Sequence, residues 1–557
     1  MPTPWADFTG ATAARGLFPY KTWARTVREA LSAESERSLL EASDPAGAPQ
    51  LRRALADYLR GFRGMEVSPQ QIVVGAGAQS LYALIIQLLG RSRAYAVENP
   101  GYPRLAHIYR SNDVRLDCIP LDDGGVNVDA LAASGASVVH CMPSHQFPTG
   151  LVTSASRRHE LLQWAMQAQE DETNVSRETF SAEETRAGDT NADTSARVGG
   201  GALAGADAPA IAGARTVAGT GARAVSHADA NVDERRYIIE DDYDCEFRMA
   251  GRPIPSLQSI DEAECVIYTN TFTKSLGPAF RIGYMVLPDH LARRFHEQLG
   301  FYSCTVGAID QLALARFIES GEYERHVNRL RNRHRRVQDA LISGLRASSV
   351  GDMLRFVHVG AGLHFLMEVD LGENTPEECA RRTNYIERAG RAERMERARC
   401  ADPTSRDEYA NCRESERRER AAQTERVERA GRVEHVRRAE RVIAERARER
   451  GIALAPLSDY WLDSPDHSPT DLPARSPAGL SSDSLANSPV GSLSNSPDNS
   501  PAGLPSYASS NLLLHDEYSS YGDESRSPTF VMNFTGIEEE EVARVVETLA
   551  QVLSAIK

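Results

Sequence analysis

The chain has 557 residues, 41% of them hydrophobic and 7% aromatic, enough for a sizeable buried core and for more than one domain. A formal net charge of -15 and a pI near 5.5 argue against nucleic acid as the main partner, because phosphate binding depends on clustered Lys and Arg. A mean hydropathy of -0.41 marks stretches too polar to pack, while no run approaches the roughly 18 apolar residues of a membrane span.

The start MPTPWADFTG lacks a signal-peptide pattern. The eight cysteines are scattered without CxxC or metal-ligand spacing. They read as reduced thiols of a cytoplasmic protein, with no metal site and no membrane contact expected.

In chain order, residues 1–25 read as an N-terminal arm. Apolar residues at three- and four-residue spacing predict helices between 16 and 63, broken at the DPAG turn. From residue 71 the pattern changes: QIVVGAGAQSLYALIIQLL reads as strand, Gly-rich turn and helix. AYAVENPGYP and VVHCMPSHQFPTG read as strand and loop, and LLQWAMQ as a helix. YIIEDDYD, VIYTNTFTKS and RIGYMVLP read as further strands.

Strands alternating with helices imply an α/β fold with a mainly parallel central sheet, here a large domain over 26–295. A smaller C-terminal α+β domain over 296–557 follows, ending in the strand and amphipathic helix of TFVMNFTGIEEEEVARVVETLAQVLSAIK. Three stretches interrupt this order. Residues 168–236 lack any apolar period and read as a disordered insertion. Residues 373–448, dense in Arg and Glu at three- and four-residue spacing, read as an exposed, salt-bridged helical insertion. Residues 463–526 repeat Ser-Pro steps and read as a disordered linker.

Lysine occurs only at Lys21, Lys274 and Lys557, whereas arginine is used freely. A guanidinium stays protonated and forms no imine, but a lysine amine can be deprotonated and attack a carbonyl. Lys557 is the last residue and Lys21 lies in a polar stretch, so both suit the surface. Lys274 stands in the otherwise uncharged turn TNTFTKSLGP and asks for a chemical reason.

Pyridoxal 5′-phosphate (PLP) chemistry needs such an amine, an anion for the pyridine nitrogen, a donor to the ring oxygen, a stacking ring and a phosphate cradle. Asp241 and Tyr243 end the apolar strand upstream of Lys274 and suit the nitrogen and the oxygen; alone, Glu240, Asp241, Asp242 and Asp244 also read as a surface acidic turn or a metal site. Gly77, Ala78 and Gln79 open a helix after a strand, where N–H groups and the dipole favour an anion. Gly75 and Gly77 with Glu98 further on also resemble a dinucleotide fingerprint, but Ser80 holds the third glycine position. Arg281, with the hydroxyls of Thr271 and Thr273, suits the same phosphate. Tyr102 follows a strand and a Pro-Gly turn and can stack on the ring.

Taken together, LFPYKTWAR, DPAGAPQLRRALADYL, VENPGYPR, HQFPTG, EDDYD, TFTKSL, GLHFLMEV and RGIALAPLSDYW resemble the aminotransferase domain of the MocR (GabR-like) regulators, a branch of the GntR transcription factors. That resemblance implies fold-type-I aminotransferase architecture and a cytoplasmic homodimer acting on an amino acid and a keto acid. By it Lys274 is the Schiff-base lysine and the catalytic base, Asp241 the pyridine partner, Tyr243 the ring-oxygen donor, Tyr102 the stacking ring and Arg281 a phosphate ligand. Arg104 is the candidate for a substrate carboxylate.

The alternative is a noncatalytic, ligand-sensing effector domain separated from its DNA-binding half, since the chain is expected to start where such regulators end their winged helix-turn-helix. The sequence also departs from the aminotransferase pattern. Phe147 stands before Pro148 where an Asn is usual, leaving His145 or Gln146 to replace it. Ala42 replaces a tyrosine that would reach the partner's phosphate, and Thr529, with Arg526 nearby, stands where a second substrate-binding Arg is expected.

Overall fold

The structure, a computed structural model, describes residues 4–10, 16–41, 43–167, 235–249, 255–372, 431, 433–462 and 527–556. The expected insertion 463–526 lies outside the described residues. So do 168–234 of the first insertion and 373–430 of the charged one.

The strands are β1 (Ala6–Asp7), β2 (Ile72–Gly75), β3 (Ala94–Asn99), β4 (Arg115–Asp122), β5 (Gly125–Val126), β6 (Val138–Cys141), β7 (Tyr237–Asp241), β8 (Val266–Thr271), β9 (Gly283–Val286), β10 (Leu354–Val357), β11 (His364–Val369), β12 (Ile452–Ala453), β13 (Ala455–Pro456) and β14 (Thr529–Asn533). Eight of them form one sheet in the order β2-β9-β8-β7-β6-β3-β4-β5. Its centre, from β8 through β7, β6 and β3 to β4, is parallel, and β9 runs antiparallel to both its neighbours.

Strands buried on both faces need apolar residues in succession rather than alternation, which is why β6 and β7 read as continuous runs. Successive side chains enter opposite cores. Val97, Val138 and Ile239 pack with Leu81 and Ile85 of the helix Ala78–Leu89. Ala96, Val139 and Ile238 pack on the other face with Trp164 of the helix that starts at 155. The parallel strands therefore all deliver their carboxyl ends, and the loops that follow, to one rim, the usual place for a ligand in such sheets.

A second, antiparallel sheet runs β10-β11-β14-β13. Phe365 and Met367 on β11 and Phe530 and Met532 on β14 face a core built with Leu341 and Leu345 of the helix Glu322–Ala347 and Leu549 and Leu553 of the helix Val542–Ser554. By period two, His364 and Leu366 turn away from those helices, and Leu366 packs with Leu457 and Val531 in a separate cluster.

Two expectations change. The described end of the charged stretch, a helix over 433–449, is not a solvated rod: Ile443 and Ala447, four residues apart, enter the small-sheet core, and Glu440 is buried as well. The N-terminal arm is also part of the C-terminal half. β1 pairs in parallel with β12, Phe8 is buried in the small-sheet core, and Trp5 Nε1 donates to the Arg450 carbonyl at 2.9 Å.

Candidate functional site

Lys274 lies in the turn between β8 and β9. The turn is closed by Leu276 N–H to the Phe272 carbonyl at 2.8 Å and Gly277 N–H to the Thr273 carbonyl at 3.1 Å. Phe272 and Leu276 anchor it in the core. From the helix Glu322–Ala347, Tyr323 OH donates to Ser275 Oγ at 3.0 Å and His326 Nε2 bonds the Ser275 carbonyl at 2.8 Å. The half-buried Lys274 amine is thus held on a clamped backbone. Burial lowers its pKa below the ordinary lysine value, against an opposing pull from Asp244.

Asp241 is the last residue of β7 and is buried. Its Oδ2 accepts from Tyr82 OH and lies 3.6 Å from His140 Nε2. His140 Nδ1 is hydrogen-bonded to Tyr109 OH at 2.8 Å. Burial, and next the Asp241 charge, push the Tyr82 phenol well up.

The other acids of this turn are occupied and buried, so a surface acidic turn is excluded. Glu240 accepts from the N–H groups of Leu257 and Gln258 at 2.9 and 3.0 Å. Asp242 pairs with Arg63 at 2.7 Å and accepts from Tyr268 OH at 2.8 Å. Asp244 Oδ2 meets His145 Nδ1 at 2.9 Å and the Leu363 N–H at 3.1 Å. Tyr243 OH is 3.1 Å from the same His145 nitrogen, and the two rings stack with centroids 6.2 Å apart. Burial, followed by Asp244, raises the Tyr243 pKa.

At the start of the helix Ala78–Leu89, Gly77 has φ +80° and occupies the N-cap. A Cβ there would sit 3.1 Å from Arg281 Nη2, so the guanidinium lies directly over the turn. Arg281, itself at φ +52°, donates from Nη2 to the Ala76 carbonyl at 3.1 Å. Ala78 and Gln79 supply first-turn N–H groups that have no acceptor within the helix. Gln79 and Arg281 are exposed, Thr273 is half-buried, and Thr271 is buried at the end of β8. Tyr102, half-buried, caps the helix Pro103–Ser111 and meets Phe147 edge-on at 5.7 Å. Arg104 is exposed on that helix's first turn.

Glu98 does not serve a dinucleotide. It is buried and accepts from the Met142 N–H at 3.1 Å and from Gln146 Nε2 at 3.4 Å. Burial pushes its pKa up to about 8.

Of the two residues expected to replace the usual Asn, Gln146 is consumed internally. Its Nε2 donates to the carbonyls of Pro100 and Phe147, and its Oε1 accepts from Thr149. His145 is the one beside Tyr243. Three further residues join the site without a motif of their own, Tyr82, His140 and His364, the last lying 4.3 Å from His145 between ring centroids. Its signal was available in GLHFLMEV, where alternation sets His364 on the face opposite Phe365 and Met367.

The family model for aminotransferase class I and II matches residues 13–169. The HTH-type transcriptional regulator YdeL of Bacillus subtilis is 30% identical over 68% of this chain and 67% of its own length. The probable rhizopine catabolism regulatory protein MocR of Rhizobium meliloti is 26% identical over 63% of this chain and 57% of its own. The chain thus spans about two thirds or less of these relatives. Among solved structures, the α-aminoadipate aminotransferase LysN from Thermus thermophilus, complexed with N-(5′-phosphopyridoxyl)-L-leucine, superposes with a TM-score of 0.56 at 16% identity, covering 99% of this chain and 92% of its own. The chain belongs to the aminotransferase class I and II family, in the branch of aminotransferase-like domains found in MocR-type regulators.

Proposed function

We propose that this chain holds PLP, the cofactor its family implies, on Lys274 and uses it to take the amino group from an amino acid. One observation carries the reading: a single amine, half-buried and weakened as a base by burial, stands beside Asp244 on the same rim as Asp241 and Tyr243. The residues present suit the group. Gly77, at φ +80°, favours glycine and lies directly under the Arg281 guanidinium, and His140 Nε2, next to Asp241, is buried without a hydrogen-bond partner.

When bound, the cofactor supplies an aldehyde and an electron-withdrawing pyridinium ring. Lys274, neutral more of the time than an exposed lysine, would hold the group through its amine and, once released, would serve as the base that moves a proton at the substrate carbon. Asp241, fixed by Tyr82, keeps the ring nitrogen protonated. Asp244 can only accept, so His145 Nδ1 carries the proton between them. Tyr243, whose hydroxyl lies against both His145 and Asp244, would turn its O–H from Asp244 to the ring oxygen. Gly77, Ala78, Gln79, Thr271, Thr273 and Arg281 receive the phosphate, Tyr102 stacks on the ring, and Arg104 at the rim takes a substrate carboxylate.

Two copies complete the site. Phe301 is 76% exposed and Tyr302 43%, just before Thr305, whose Oγ1 accepts the Ala76 N–H at 3.0 Å beside the Gly77 turn. A partner covering these rings would close the open side of the anion cradle.

A second reading, a sensor that binds without turnover, is favoured by Thr529. It stands where a second substrate-binding Arg was expected and is buried in β14, paired with Glu368. The experiment is an absorbance spectrum of the PLP-loaded protein with a panel of amino acids and borohydride trapping. Conversion to the amine form supports the enzyme, and a spectral shift without conversion supports the sensor. A colourless protein with no pyridoxyl group on Lys274 overturns both.

A further inference from the structure

Cysteine spacing offers no metal ligands and the acidic turn supplies only Asp244, yet the fold gathers three donors around it. His145 comes from the loop after β6, Asp244 from the turn after β7, and His364 opens β11 of the small sheet. Their exposures are 2%, 2% and 1%. One donor atom of each lies within 4.8 Å of the others.

Both imidazoles are held through one nitrogen and leave the other unused. His145 Nδ1 donates to Asp244, and its Nε2 is buried without a partner; His364 bonds the backbone at Pro148, and its Nε2 is likewise buried and unpartnered. Buried polar atoms are nearly always satisfied in folded proteins. An imidazole with one nitrogen tied to a backbone carbonyl and the other presenting a lone pair, as at His364, is the arrangement found around protein-bound metals; because Asp244 is itself a donor of the set, His145 would exchange its bond to Asp244 for the ion.

Gly362 makes the convergence possible. At φ +66°, a Cβ on it would fall 1.9 Å from His145 Nδ1 and 2.6 Å from Asp244 Oδ2, so only glycine lets the small-sheet chain come this close.

We propose that His145, Asp244 and His364 form a binding site for a divalent transition-metal ion of the zinc class, bridging the large and small sheets beside Lys274. Two nitrogens and one carboxylate select such an ion over Mg²⁺ or Ca²⁺, which take oxygen ligands. Zinc–nitrogen bonds of roughly 2.0–2.1 Å in a tetrahedron require the donors to close in from the separation they have here. The ion ties β11 to the turns after β6 and β7 and withdraws His145 from Tyr243.

The test uses the full chain, freed of PLP and treated with chelator, and Co²⁺ as the probe, because its visible bands report tetrahedral nitrogen and oxygen coordination. One Co²⁺ per chain, with bands and a raised melting temperature, is expected. His364→Ala and His145→Gln should each abolish the bands and weaken binding by more than the roughly 10–100-fold that loss of an outer-shell partner costs. His159→Gln, at an exposed helix position, should leave both unchanged. Absence of bands at stoichiometric Co²⁺, or bands that survive in whichever of the two ligand variants folds, overturns the site. Neither outcome depends on PLP, so failure here leaves the cofactor reading intact.

Discussion

Asp241 accepts from Tyr82 OH at the end of β7 while His140 stands 3.6 Å away, so its charge is fixed in place and half-used. Hydrogen bonds to a charged group are worth about 1.5–3 kcal/mol. Asp241→Asn should therefore weaken PLP binding roughly tenfold to a hundredfold, as read by fluorescence titration. Tyr82→Phe, which removes a positioning bond and leaves the carboxylate, should cost less. Equal losses in the two variants would mean that Asp241 acts only through packing.

Glu98 allows a pH test with a definite sign. Burial raises its pKa from the ordinary 4.5 to about 8, so between those values the folded chain holds a proton that the unfolded chain releases. Stability then falls as pH rises across this window, with the full penalty present above about pH 8. Glu98→Gln keeps an acceptor for the Met142 N–H and removes the titration. The melting temperature of the variant minus that of the parent should grow from pH 5 to pH 9, and a flat difference would count against the assignment.

At the scale of elements, the parallel strands and their terminal residues were legible because burial on both faces writes continuous apolar runs, and strand ends coincide with the acids and the lysine that do not fit a core. The His145–His364 encounter was not, since its members come from different sheets and the local signals, the HQFPTG loop for one and strand alternation for the other, say nothing of their meeting. The burial of the helix 433–449 was hidden for a related reason: dense Arg and Glu mask a two-residue apolar stripe, Ile443 and Ala447, and nothing local separates Glu440 from the surface charges around it.

In the fold, Glu440 accepts the N–H groups of Thr529 at 2.9 Å and Ser458 at 3.2 Å, joining the helix to β14 and to the segment after β13. Glu440→Ala would leave two donors without partners, each costing about 1–3 kcal/mol if it stays buried. A lower urea midpoint is expected, accompanied by faster hydrogen exchange at residues 529 and 458. A midpoint unchanged from the parent would mean that water replaces the carboxylate.

For the whole molecule, composition and motif order sufficed for two sheets and for the family, because those depend on pattern over hundreds of residues. The joining of Ala6–Asp7 to Ile452–Ala453 was beyond reach, since a two-residue strand carries no periodicity and its partner lies hundreds of positions away. Exposure was equally hidden: nothing in the sequence sets Phe301 and Tyr302 apart, and the fold leaves them 76% and 43% accessible. Apolar rings this open, tethered through Thr305 to the Gly77 turn, favour burial against a second copy. A charge at the centre of such a contact should break it, because an unpaired carboxylate resists burial. Phe301→Asp is therefore expected to shift the mass in light scattering from twice 61.0 kDa to 61.0 kDa, and to weaken PLP binding although the residue belongs to no proposed ligand. If the parent chain is already monomeric at micromolar concentration and binds PLP as tightly as the variant, the cradle is complete within one chain.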